Sequence, residues 1–188
     1  MRTGTAILLF VTILLAGGCV VRPWMPQASE GIAVEDYYAV ISTDSLLIAI
    51  RPQAYDGDAQ TVNANFFTLY LQVRNLSKST LRLPKQSFGI VADGRQFDPI
   101  PLEFVLGSVQ TSYKLTDFED PFSPETQTQK VSEKYREDYF ELLNRYFSFG
   151  DLLPGGSKDG YLFYSSAAGM QGSLEVDVWG RMIGFGRR

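Results

Sequence analysis

The side chains able to do chemistry are few and unevenly placed. Cys19 is the only thiol among 188 residues, and the chain contains no histidine. A thiolate is the nucleophilic form of cysteine, so Cys19 is the one position suited to covalent modification through sulfur. The lack of imidazole removes the commonest general base and metal ligand. Carboxylates are the remaining reactive class: Asp117, Glu119 and Asp120 form the densest acidic cluster, and Asp56 and Asp58 a second. Oxygen ligands at alternate positions can hold calcium, but Asp56-Gly57-Asp58 lacks the later Gly and Glu of an EF-hand loop. Asp117, Glu119 and Asp120 are therefore the residues to consider for a metal, a solvated loop is the plainer reading, and no cofactor is expected. A glycosidase pair needs carboxyls roughly 5 to 10 Å apart across a shaped cleft, which a domain of this size seldom offers. No enzymatic activity is expected.

The residues before Cys19 suggest how it is used. Met1-Arg2 gives a positive start, Ala6 to Ala16 (AILLFVTILLA) is apolar but for Thr12 and free of charge, and small residues follow, the layout of an export signal. A spanning helix needs roughly 20 apolar residues, about twice this run. Leu15-Ala16-Gly17-Gly18-Cys19 resembles the bacterial lipobox, although the family usually places Leu where this chain has Ala16. The resemblance implies a diacylglyceryl group on Cys19, cleavage before it, and attachment to a membrane through several acyl chains. At about 0.8 kcal/mol per buried methylene these hold far more firmly than one chain. It also implies, from Val20 in place of Asp, the periplasmic face of the outer membrane if the cell is Gram-negative.

Removing residues 1 to 18 takes away Arg2 and no acid, so 16 basic residues stand against 21 acidic ones, a net charge of −5. This balance speaks against nucleic acid or anionic lipid as a ligand. The expected organisation is a signal peptide at 1–18, a tether at 19–36 without periodicity, and one domain at 37–188. With 13 Phe, 10 Tyr and 2 Trp, that domain can fill a core without disulfides.

Its pattern is mainly β. Residues 46 to 51 read as a strand ended by Pro52, and Phe67, Leu69, Leu71 and Val73 alternate with polar or longer side chains, the period of a strand with one buried face. Asn75-Leu76-Ser77 breaks that strand. Residues 87–92 and 95–100 flank Asp93-Gly94, which suits a type I′ hairpin. Leu152 to Gly156 is a turn, 160–165 a strand, and Leu174, Val176 and Val178 mark another. Between them, Ser123 and Pro124 suit a helix start. Val131, Tyr135, Tyr139, Leu142 and Tyr146 then follow at helical spacing, predicting an amphipathic helix over about 124–147 within an inserted segment at about 105–149. Its charged residues, Lys130, Glu133, Lys134, Glu137, Asp138 and Glu141, read as a solvated face, with Glu141 and Arg145 spaced to pair. The tyrosines read as packing on the sheet, and Gly180 to Arg188 as a frayed end.

Short strands with turns between them and one helix argue a β-sandwich of immunoglobulin-like kind. The strand ending Val73-Arg74-Asn75-Leu76-Ser77, the Asp93-Gly94 hairpin, and Leu153-Pro154-Gly155-Gly156 leading into Gly160-Tyr161-Leu162-Phe163 resemble exported bacterial immunoglobulin-like domains of unknown function. Those motifs define turns and strands, so they imply no catalytic residue. The expected role is a non-enzymatic cell-envelope module that contacts the membrane through Cys19 and supports an assembly or binds another envelope protein through a sheet edge or the inserted segment. The alternatives are a small-ligand or calcium-binding lipoprotein, or a carboxylate-based hydrolase.

Overall fold

The computed structural model describes residues 22–59, 61–117 and 125–187. Among these residues twelve strands are formed: β1 Trp24–Pro26, β2 Ala33–Glu35, β3 Tyr38–Ser42, β4 Leu46–Pro52, β5 Phe66–Asn75, β6 Leu81–Leu83, β7 Phe88–Ala92, β8 Arg95–Phe97, β9 Gly150–Leu152, β10 Ser157–Ser165, β11 Ser173–Val178 and β12 Arg181–Arg187. Among the described residues three α-helices accompany them, α1 Thr61–Asn65, α2 Leu102–Asp117 and α3 Glu125–Arg145. One sheet has the order β1-β12-β11-β7-β8 and the other β10-β5-β4-β3-β2, with β6 and β9 forming a small ribbon. Every pairing is antiparallel. The two large sheets make the β-sandwich that the alternation implies.

The alternation in β5 sorts its side chains between two layers. Leu69, Leu71 and Val73 face the inter-sheet core with Ile48, Ile50, Phe88, Ile90, Val176 and Phe185. Phe66 and Tyr70 point the other way, into a second apolar layer beneath the helices. Neighbouring β10 is buried on both faces, with Leu162 and Tyr164 in the first layer and Tyr161 and Phe163 in the second. A strand covered on both sides reads as a continuous apolar run, which is why Tyr161 to Tyr164 shows no alternation.

The helical layer exceeds the single helix expected. Helix α3 ends at Arg145, close to expectation, while its expected capping residues Ser123 and Pro124 lie outside the described residues. Helix α2 was not anticipated: Val105 and Val109 are buried four residues apart, but Gly107 and several β-branched and hydroxyl residues blur its period. Residues 61–65 form α1, whose Val62 is buried in the same layer.

Two terminal expectations are also corrected. Trp24 to Glu35, assigned to a tether, contributes β1 and β2, and Trp24 and Ile32 are buried in the inter-sheet core. Strands of three residues are too short to display a period. The end read as frayed is β12, paired on both sides, with Ile183 and Phe185 directed inward; its glycines disguised the alternation.

Turn chemistry explains part of this. Asp93 and Gly94 have φ of 51° and 69°, as a type I′ hairpin requires. Asp36-Tyr37 and Trp179-Gly180 connect their strands with the same pair of positive φ values, 45° and 69° and then 54° and 76°. The unusual Trp179 is held by the Phe88 ring at 5.2 Å, by its backbone amide on Ser87 O at 3.0 Å, and by the neighbouring Gly180 amide on Asp177 Oδ1 at 2.7 Å.

Asn75-Leu76-Ser77 is a tied turn. The buried Asn75 amide donates to Ser79 O at 2.7 Å, Leu152 O at 3.0 Å and Leu153 O at 3.2 Å. Its Oδ1 accepts from the Ser77 amide at 2.9 Å and the Ser77 hydroxyl at 2.8 Å. One side chain thereby joins the end of β5 to the Pro154-Gly155 turn.

Candidate functional site

Cys19, Glu119 and Asp120 lie outside the described residues, and Asp117 is the last residue of α2. Of the second acidic pair, Asp56 has its carboxylate engaged. Asp56 sits in the loop after β4 and accepts a hydrogen bond from Arg145 at the end of α3. Glu141 lies 3.1 Å from Arg145 Nε, the expected pair, and accepts from the Asp58 backbone amide at 2.8 Å. Burial works against the Arg145 charge, but the Asp56 and Glu141 carboxylates outweigh it and hold its pKa above the ordinary value. Beneath this cluster Gln53 donates to the Tyr161 hydroxyl at 2.8 Å. Burial, reinforced by Glu141 for Tyr55 and by Asp56 for Tyr161, pushes both phenols well above their usual range. The arrangement is a guanidinium between carboxylates, suited to fastening α3 to the β4–α1 loop. Among the described residues no three acids come together as a metal site would require.

Asp138 departs from the solvated face assigned to it. It is 2% exposed, accepts from Lys134 Nζ at 2.6 Å, and accepts from the Tyr113 hydroxyl across the helix pair. A carboxylate can be buried here because a lysine one turn away and a phenol satisfy it. The hydrogen bond to Asp138 raises the Lys134 pKa, and burial followed by Asp138 raises that of Tyr113.

The tyrosines divide. Tyr146 lies parallel to the Phe163 ring at 6.0 Å, on the sheet as expected. Tyr135 instead packs on Tyr113 of α2 at 5.7 Å, and Tyr139 on Phe140 at 5.6 Å.

The most site-like feature had no sequence signal. A cleft of about 640 Å³ brings together Arg22, Arg51 and Arg187 with Trp24, Phe66 and Phe67, and no described carboxylate lines it. The strand pairing that sets Trp24 opposite Arg187 builds one wall. The Arg187 guanidinium lies 4.7 Å from the Trp24 ring centroid and donates to Gly169 O at 2.9 Å. On the other side, the Arg51 guanidinium lies 4.3 Å from the Tyr38 ring, and its Nε donates to Gln53 Oε1 at 2.7 Å. Arg51 and Arg187 are each positioned by a ring and one hydrogen bond, and the five donors of a guanidinium leave others for a ligand. Arg22 has neither an ion pair nor a hydrogen bond among the described residues.

Comparison of the chain with protein-family models, with curated proteins and with solved structures finds no match in any of the three.

Proposed function

We propose that this chain is a lipid-anchored, non-enzymatic module of the bacterial cell envelope whose domain supports protein interaction or assembly. The observation that carries the reading is the N-terminal segment, in which an apolar run too short to span leads through Leu15-Ala16-Gly17-Gly18 to the sole cysteine. Among the described residues no helix is long and apolar enough to cross a membrane. A lipid on Cys19 is a means of attachment that requires none, and Val20 favours the outer membrane in a Gram-negative cell. The non-enzymatic reading is supported by the engagement of Asp56, Asp138 and Glu141 with Arg145, Lys134 and Tyr113. The interaction reading is supported by large apolar side chains left in solvent on the helices: Phe104 is 66% exposed, Phe140 53% and Leu143 46%.

Two measurements test this. Cys19→Ser should accumulate as an unprocessed or soluble form; normal processing and unchanged membrane fractionation would show that no lipid is attached there. A photocrosslinker at Phe140 should capture a defined envelope protein in cells. No capture, together with a melting temperature that rises with calcium, would replace the interaction reading with calcium binding by the acids around Asp117.

A further inference from the structure

We propose that the arginine cleft between β1, β4, β5 and β12 is a binding site for an organic phosphate, that is, a phosphate dianion carried on an apolar group. The chain is acidic overall, yet three arginines converge on one cleft without a described carboxylate among them. Like charges gathered in this way repel each other, and an anion between them relieves the repulsion. Three guanidinium groups match a dianion better than a monoanion, and the planar fork of each fits two phosphate oxygens at once. The walls specify the rest of the ligand. Trp24, Phe66 and Phe67 line the same cleft, with the Trp24 and Phe67 rings 5.8 Å apart, edge to face. Inorganic phosphate would leave these rings in water, whereas a ring or acyl chain beside the phosphate would cover them.

The guanidinium positions are prepared before any ligand arrives. Stacking of Arg187 on Trp24 and of Arg51 on Tyr38 fixes two long side chains that would otherwise lose rotamer freedom on binding. Arg22 is exposed and supplies a third, adaptable contact.

Two sources of this chemistry exist, a free organic phosphate and the phosphomonoester headgroup of a phospholipid. If Cys19 carries lipid, only Val20 and Val21 stand between it and Arg22, a reach on the order of 10 Å, which places the cleft at headgroup depth. That choice of source rests on the proposed anchor; the site does not.

The test is calorimetric titration of the full chain, held in neutral phosphatidylcholine nanodiscs, with phenyl phosphate and with inorganic phosphate. Phenyl phosphate should bind more tightly than inorganic phosphate. Arg51→Gln and Arg187→Gln should each weaken it about tenfold or more, while Arg136→Gln on the exposed side of α3 leaves it unchanged. Should either variant unfold, Arg22→Gln, which disturbs no internal contact, must still weaken binding at an unchanged melting temperature. Adding phosphatidic acid, whose headgroup is a phosphomonoester, to the discs separates the sources: competition with phenyl phosphate assigns the site to lipid headgroups, and unaltered binding assigns it to a free ligand. Equal affinity for phenyl and inorganic phosphate, or affinity indifferent to Arg22, Arg51 and Arg187, overturns the proposal. Normal processing of Cys19→Ser would remove the anchor without touching this result.

Discussion

Replacing Asn75 by alanine tests whether one side chain holds the end of β5 to the turn before β10. The perturbation removes donors to three carbonyl oxygens, on Ser79, Leu152 and Leu153, and the acceptor for the Ser77 amide and hydroxyl. A neutral hydrogen bond contributes about 1 kcal/mol net, and a buried group left without its partner costs about 1–3 kcal/mol. Of the five contacts only that to Leu152 O is wholly buried, the others lying where water can partly replace the amide. The expected loss is therefore about 2–4 kcal/mol, well short of five full penalties, or a fall in melting temperature of roughly 5–15 °C for a domain of this size. Asn75→Asp sharpens the test. It preserves shape and the Ser77 contacts but sets a carboxylate against three carbonyl oxygens, so at pH 7 it should destabilise more than alanine does. Urea unfolding followed by tryptophan fluorescence measures both. An alanine variant within about 0.5 kcal/mol of the parent, the range of an ordinary surface change, or an aspartate variant more stable than alanine, would refute the reasoning.

Three further outcomes follow from the same physics. Gly160 has φ of 150°, and a Cβ there would lie 2.7 Å from Arg145 O and 2.8 Å from the Phe147 amide, so Gly160→Ala should cost about 3 kcal/mol or more in urea unfolding and loosen α3 from β10. The Tyr164 hydroxyl is buried without a hydrogen-bond partner among the described residues; Tyr164→Phe should therefore raise stability by about 1 kcal/mol, and a loss measured by thermal unfolding would mean that the phenol is satisfied. Burial raises the pKa of Tyr55, Tyr113, Tyr161 and Tyr164 above the ordinary value of 10.0. The unfolded chain then releases these protons before the folded one does, so stability present below pH 10 should fall as pH rises beyond it. Phenolate absorbance should appear together with unfolding, and a gradual rise in folded protein would count against buried phenols.

What was legible in the sequence depended on whether the cause was local. Leu69, Leu71 and Val73 announce β5 because a strand with one face in a core repeats every two residues, and Asp93-Gly94 announces a hairpin because both residues tolerate positive φ. The turns at Asp36-Tyr37 and Trp179-Gly180 adopt the same backbone, but Tyr37 and Trp179 carry no such preference, and tertiary packing on Phe88 decides the second. Helix α2 stayed hidden because its buried residues are few and its layer partners, Tyr161 and Phe163, lie some fifty residues later. Asp138 looked solvated because its second partner, Tyr113, stands on another helix.

The arginine cleft is the extreme case of that dependence. Arg22 and Arg51 come from the N-terminal third of the described chain and Arg187 from its end, and no motif links them. Pairing of β1 with β12 places Trp24 against Arg187, and pairing of β4 with β5 brings Arg51 opposite Tyr70 and Pro52 opposite Leu69. A shift of one residue in either register would turn each of these side chains to the opposite face. The cleft thus exists only if the first and last strands of the described chain are paired as they are. A chain ending before β12 should lose Arg187 and the partner strand of Trp24 together. It follows that phenyl phosphate binding and the burial of Trp24, read by its fluorescence, should disappear at the same truncation, whereas a cleft independent of that pairing would retain one without the other.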